Sequence, residues 1–116
     1  MPNPIVHFEV LGKDAQALSS FYGDTFGWEM QQVMPTYAMV NTGGDGDIAG
    51  GVGAAPDGAV GHVTFYIQVE DLDAALGQVA ANGGSTVQPP MDVPDGPTIA
   101  LFADPEGHVV GLVKQR

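Results

Sequence analysis

The chain has 116 residues, enough for one domain that buries roughly two thirds of its unfolded surface. Its 14 acidic and 3 basic side chains give a formal net charge of -11, which repels phosphate backbones and anionic lipid, so neither nucleic acid nor membrane is an expected partner. The absence of cysteine excludes disulfides, thiolate catalysis and sulfur-ligated zinc; a start without signal-peptide character and no run of ~20 apolar residues point to a cytoplasmic protein.

The first segment, 5–10, alternates so that Val6, Phe8 and Val10 share one face of a strand and Ile5, His7 and Glu9 share the other. Asp14 is placed to cap a following helix in which Leu18, Phe21, Tyr22 and Thr25 recur at helical spacing, and the apolar stripe should cover the Val6, Phe8, Val10 face. That spacing assigns Phe21 and Tyr22 to the core. Gly27 ends the helix, and three strand-like runs follow at 28–34, 37–42 and 48–53. Turns fall at Pro35 and in the Gly43-Gly44-Asp45-Gly46 cluster, where Asp45 and Asp47 read as turn formers and not as a calcium loop.

The same order restarts at Gly61. Val63, Phe65, Ile67 and Val69 alternate with His62, Thr64, Tyr66 and Gln68. Asp71 opens a second helix carrying Leu72, Ala75, Leu76, Val79 and Ala80, and Gly83-Gly84 closes it. Runs at 86–93, 98–103 and 108–114 complete the set, the last two joined as a hairpin by Asp104-Pro105-Glu106-Gly107, after which His108 should be solvent-exposed.

An offset of 57 residues relates Phe8 to Phe65, Asp14 to Asp71, Ala17 to Ala74 and Gly27 to Gly84, so one β-α-β-β-β module is used twice. The predicted fold is α+β, a single domain over 1–116 in which modules at about 4–56 and about 60–116 form a curved mixed sheet enclosing a cleft. The faces turned away from the helices should line that cleft. Its candidate ligand-binding residues are His7, Trp28, Tyr37, Met39, Thr64 and Tyr66, with aromatic and thioether groups suited to a flat apolar molecule.

The order of His7, Phe21-Tyr22, Phe26-Gly27-Trp28, Asn82-Gly83-Gly84 and Asp104-Pro105-Glu106-Gly107 resembles the vicinal oxygen chelate superfamily of glyoxalase I, bleomycin-resistance proteins and extradiol dioxygenases. The resemblance covers essentially the whole chain. It implies paired βαβββ modules, frequent homodimers and, in the enzymes, a divalent metal held by cleft-facing strands. His7 matches the first-strand ligand, but the second-module position falls on Thr64, the last-strand glutamate position on Gly111, and the remaining one in the donorless run 48–53. A metal set rebuilt from His7, Glu9 and His62 is the alternative, with Zn, Ni, Fe or Mn as the candidate ion.

The resemblance and the missing donors together lead to a protein with a degenerate metal site and no cofactor, binding a small apolar or aromatic molecule in its cleft. The competing reading is a metal-dependent lyase, isomerase or dioxygenase in which Glu9 acts as general base. A structural or regulatory domain is a third, with no positive feature behind it.

Overall fold

The computed structural model describes residues 2–44, 48–56 and 59–115; the expected turn formers Asp45 and Asp47 lie outside them. Among the described residues the order is β1 (Ile5–Gly12), α1 (Ala15–Phe26), β2 (Glu29–Met34), β3 (Tyr37–Asn41), β4 (Ala49–Ala54), β5 (His62–Val69), α2 (Leu72–Ala81), β6 (Ser85–Asp92), β7 (Thr98–Ala103) and β8 (Val109–Lys114). This is the predicted α+β arrangement, a β-α-β-β-β order used twice. No described helix is long and apolar enough to cross a membrane.

Local chemistry sets the element boundaries. The Asp14 carboxylate accepts the Ala17 N–H at 2.9 Å and the Asp71 carboxylate accepts the Ala74 N–H at 3.0 Å, so each helix starts on the same side-chain cap. Gly27 closes α1 in the left-handed region at φ 73°, where a side chain would be strained. The turn before β8 is held by Asp104, whose carboxylate accepts the N–H groups of Glu106 and His108. Its second oxygen stands 2.9 Å from His108 Nδ1, and these hydrogen bonds pull its pKa below the usual carboxylate range. His108 is exposed, as the turn position implied.

The chain divides into two compact units, His7–Thr64 in one and Met1–Val6 with Phe65–Arg116 in the other. In the first, the strand order is β2-β3-β4-β1, antiparallel except for the parallel pair β4 and β1. Val10, Val40 and Val52 are buried under α1, packed by Phe8, Leu18, Tyr22, Trp28 and Met30. Phe21 departs from expectation: it meets Tyr22 edge-on at 5.0 Å but is 57% exposed, because only the Leu18 and Tyr22 side of α1 joins this core.

In the second unit the order is β5-β8-β7-β6, with β5 and β8 parallel. Its core joins Val69, Leu72, Ala100 and Leu112 with Ile67, Ala75, Leu76 and Phe102. The register of β6 shifts between Gln88 and Met91, where Pro89 and Pro90 have no N–H to give the ladder. Ile67 and Val69 lie beneath α2 as the alternation predicts, whereas Val63 is exposed. The helix packs over β6, β7 and β8, leaving the start of β5 outside its cover.

Candidate functional site

Phe8 and Val10 take the helix side of β1, so alternation turns His7 and Glu9 to the opposite face. Register carries that face outward. Glu9 is opposite Gly51 on β4, Gly51 is opposite Met39 on β3, and Gly53 is opposite Tyr37. His7, Glu9, Tyr37 and Met39 therefore share one surface, with Gly51 and Gly53 as the floor between β3 and β1.

Two strand spacings, roughly 9–10 Å, separate β3 from β1. Tyr37 crosses that distance by lying flat on the glycine floor, and its hydroxyl stands 3.1 Å from His7 Nε2 and 3.1 Å from Glu9 Oε2. A Cβ at Gly51 would coincide with the hydroxyl, and one at Gly53 with the ring edge. The two glycines thus create the space that lets a β3 side chain reach β1. The Glu9 carboxylate accepts the single phenolic hydrogen, so His7 Nε2 is the donor to the Tyr37 oxygen.

Burial lowers the pKa of His7 below its ordinary value, and the neighbouring Glu9 charge offsets only part of that effect. The imidazole is therefore neutral at physiological pH. As pH falls below about 6.5, the unfolded chain takes up a proton at His7 that the folded chain does not, so stability should decline until the native imidazole is itself protonated. Thermal denaturation between pH 7.5 and 5.5 should show a steeper loss for the wild type than for His7→Gln, and equal slopes would contradict this assignment.

His62 joins the same surface from β5. Its Nε2 lies 3.7 Å from Glu9 Oε1, close enough for charge attraction but beyond a hydrogen bond, and this buried nitrogen has no hydrogen-bond partner among the described residues. Thr64, two residues on, is buried. Four of the expected residues, His7, Glu9, Tyr37 and His62, are thus brought into contact, with Met39 beside them. Trp28 is not: it stacks on Tyr22 at 5.3 Å with rings 7° apart and meets Phe8 at 5.5 Å. The backbone reversal at Gly27 carries Trp28 under α1 and into the core, which corrects its placement in the ligand cleft.

Tyr66 belongs to the second unit, where it is only 7% exposed and its ring covers Gly111. The same geometry recurs between the modules. Glu9 pairs with Gly51 as Tyr66 pairs with Gly111, so Gly51 is the first-module counterpart of Gly111. At both places an aromatic side chain occupies the volume above a glycine. Sequence reasoning passed over Gly51 and Gly53 for lack of a donor atom; the Gly-Val-Gly alternation around the buried Val52 was the available signal.

The chain matches the family model of the Glyoxalase/Bleomycin resistance protein/Dioxygenase superfamily over residues 4–112, and it belongs to that superfamily. A glyoxylase-like domain-containing protein of Didymella fabae is 32% identical over 108 residues, covering 86% of this chain and 84% of its own. CFP32 of Mycobacterium tuberculosis is 32% identical over 106 residues, but the chain spans only 41% of that protein's length.

Solved structures show the same fold. Methylmalonyl-CoA epimerase from Mycobacterium tuberculosis superposes with TM-score 0.73 at 16% identity, over 97% of this chain and 87% of the other. The Mn(II)-bound glyoxalase from Novosphingobium aromaticivorans gives 0.68 at 20% identity, over 95% of this chain and 38% of that one.

A catalytic metal of the kind this superfamily implies needs three or more convergent donors and an open position. Here the two glycine positions offer no donor and are roofed by Tyr37 and Tyr66. His7 and Glu9 both engage the Tyr37 hydroxyl, and among the described residues no three His, Asp or Glu side chains are grouped to hold an ion.

Proposed function

We propose that this superfamily member binds a small, largely apolar or aromatic molecule on the His7, Glu9, Tyr37 face and does so without a metal. The reading rests on one observation, the Tyr37 hydroxyl standing between His7 and Glu9 above a glycine floor. A polar, hydrogen-bonded chain of His7, Tyr37 and Glu9 thus crosses this face. The Tyr37 ring and the Met39 thioether supply apolar contact, and Glu9 supplies the group that orients a ligand or accepts its proton. Fold alone does not choose a substrate, since the solved relatives include both an epimerase and a glyoxalase.

A thermal-shift screen of small aromatic compounds tests the proposal. At least one should stabilise the protein, by about 2.7 kcal/mol at a hundredfold excess over its Kd. Tyr37→Phe should weaken that compound about tenfold while leaving the chain folded. A flat response across the library, or unchanged affinity in the variant, would count against it.

The second reading, a metal-dependent lyase, isomerase or dioxygenase, draws on the buried His62 Nε2 facing Glu9 Oε1. With His7 these would be its donors, and stoichiometric metal in the purified protein would favour it.

A further inference from the structure

We propose that the chain has a further small-molecule site on the helix side of its first unit, between α1 and strands β2 and β3, and that it takes a neutral, hydroxyl-rich ring about the size of a monosaccharide. Ala38 and Val52 stand opposite each other on β3 and β4, and alternation turns them away from the face that carries Tyr37, Gly51 and Gly53. Above them lies a cavity of about 330 Å³, at the lower end of the roughly 300–1,000 Å³ usual for small-molecule pockets. Its walls are Gln16, Ser19 and Ser20 on α1 and Gln32 on β2. All of these residues belong to the His7–Thr64 unit.

The lining sets the chemistry of the ligand. Among the described residues, none of those that border the cavity is Asp, Glu, Lys, Arg or His, although the chain carries 14 acidic side chains. A charged group entering here would lose water and find no counter-charge. The Ser19 and Ser20 hydroxyls and the Gln16 amide can each donate and accept, the capacity that ligand hydroxyls match. Gln32 is more restricted. Its Nε2 donates to the Met34 carbonyl at 2.5 Å and to the Pro35 carbonyl at 3.0 Å, which fixes the orientation of the amide and leaves Oε1 as an acceptor.

The floor differs in kind from the walls. Ala38 is 2% exposed and Val52 is fully buried, so the floor is an apolar, close-packed surface. A ring with one apolar face and hydroxyls around its rim satisfies floor and walls together. A wholly apolar molecule would strip water from the wall groups without replacing their hydrogen bonds.

Calorimetric titration with glucose and myo-inositol, and with glucosamine and glucuronate as charged counterparts, tests the proposal at about 0.15 M salt, where long-range attraction of cations is screened. At least one neutral compound should bind, about tenfold or more tightly than either charged one. Ser19→Leu, which fills the cavity from a helical position, should weaken that compound by about tenfold or more, and Gln16→Ala, which adds no bulk, by about threefold to tenfold. His7→Gln alters the opposite face and should leave the affinity unchanged.

No binding of either neutral compound, equal binding of a charged counterpart, or unchanged affinity in both folded cavity variants would overturn the proposal. Binding lost in His7→Gln but kept in Ser19→Leu would put the ring on the His7, Glu9, Tyr37 face and overturn it as well.

Discussion

Replacing Gly51 with alanine should lower stability by about 1–3 kcal/mol and remove the ligand binding proposed for the His7, Glu9, Tyr37 face. The added methyl coincides with the Tyr37 hydroxyl, on a strand whose next residue, Val52, is fully buried, so the floor cannot drop away. Tyr37 must then lift, and both of its 3.1 Å contacts on β1 are lost. Thermal or urea denaturation reads the first effect and calorimetry the second. Removing the hydroxyl relieves part of the clash, so Gly51→Ala combined with Tyr37→Phe should cost less than the two single changes added together. Additive costs would show that Gly51 and Tyr37 do not share this space.

Gly111→Glu carries the other large effect, an expected loss of about 3 kcal/mol or more, with no metal gained. The substitution restores the superfamily's glutamate by name, but the buried Tyr66 ring already fills the volume above position 111. A side chain at 111 points to the Tyr66 face of the sheet, so the new carboxylate would have to displace that buried ring. Gly111→Ala separates the steric part from the charge and should fall between the wild type and Gly111→Glu in urea denaturation. A stable Gly111→Glu protein that binds Mn2+ would mean that Tyr66 moves aside freely and that the site is still a metal site.

Much of the fold could be read from local chemistry. Asp14 and Asp71 announce the helix starts because a carboxylate at that position satisfies helix N–H groups whatever the surroundings. Strand alternation placed His7 with Glu9, and Tyr37 with Met39, on a shared face because the two-residue period is a property of the strand itself. The errors came where packing by a distant element decides. Trp28 went under α1 after the reversal at Gly27, Phe21 fell on the outer side of that helix, and Val63 was left uncovered by α2.

The centre of the site was the least readable part. That Tyr37 touches two β1 residues depends on the register of three strands and on glycines in the middle one, a relation no local pattern carries. Glycine gives the 48–53 run no side-chain donor atom. Its contribution is the space that Tyr37 occupies.

The most direct test of the central proposal, that the His7, Glu9, Tyr37 face works without a metal, is elemental analysis of protein purified without chelator or affinity tag. The proposed metal-free role predicts less than about a tenth of an equivalent of Mn, Fe, Ni and Zn together. Near-stoichiometric metal, lost in His7→Ala, would contradict it.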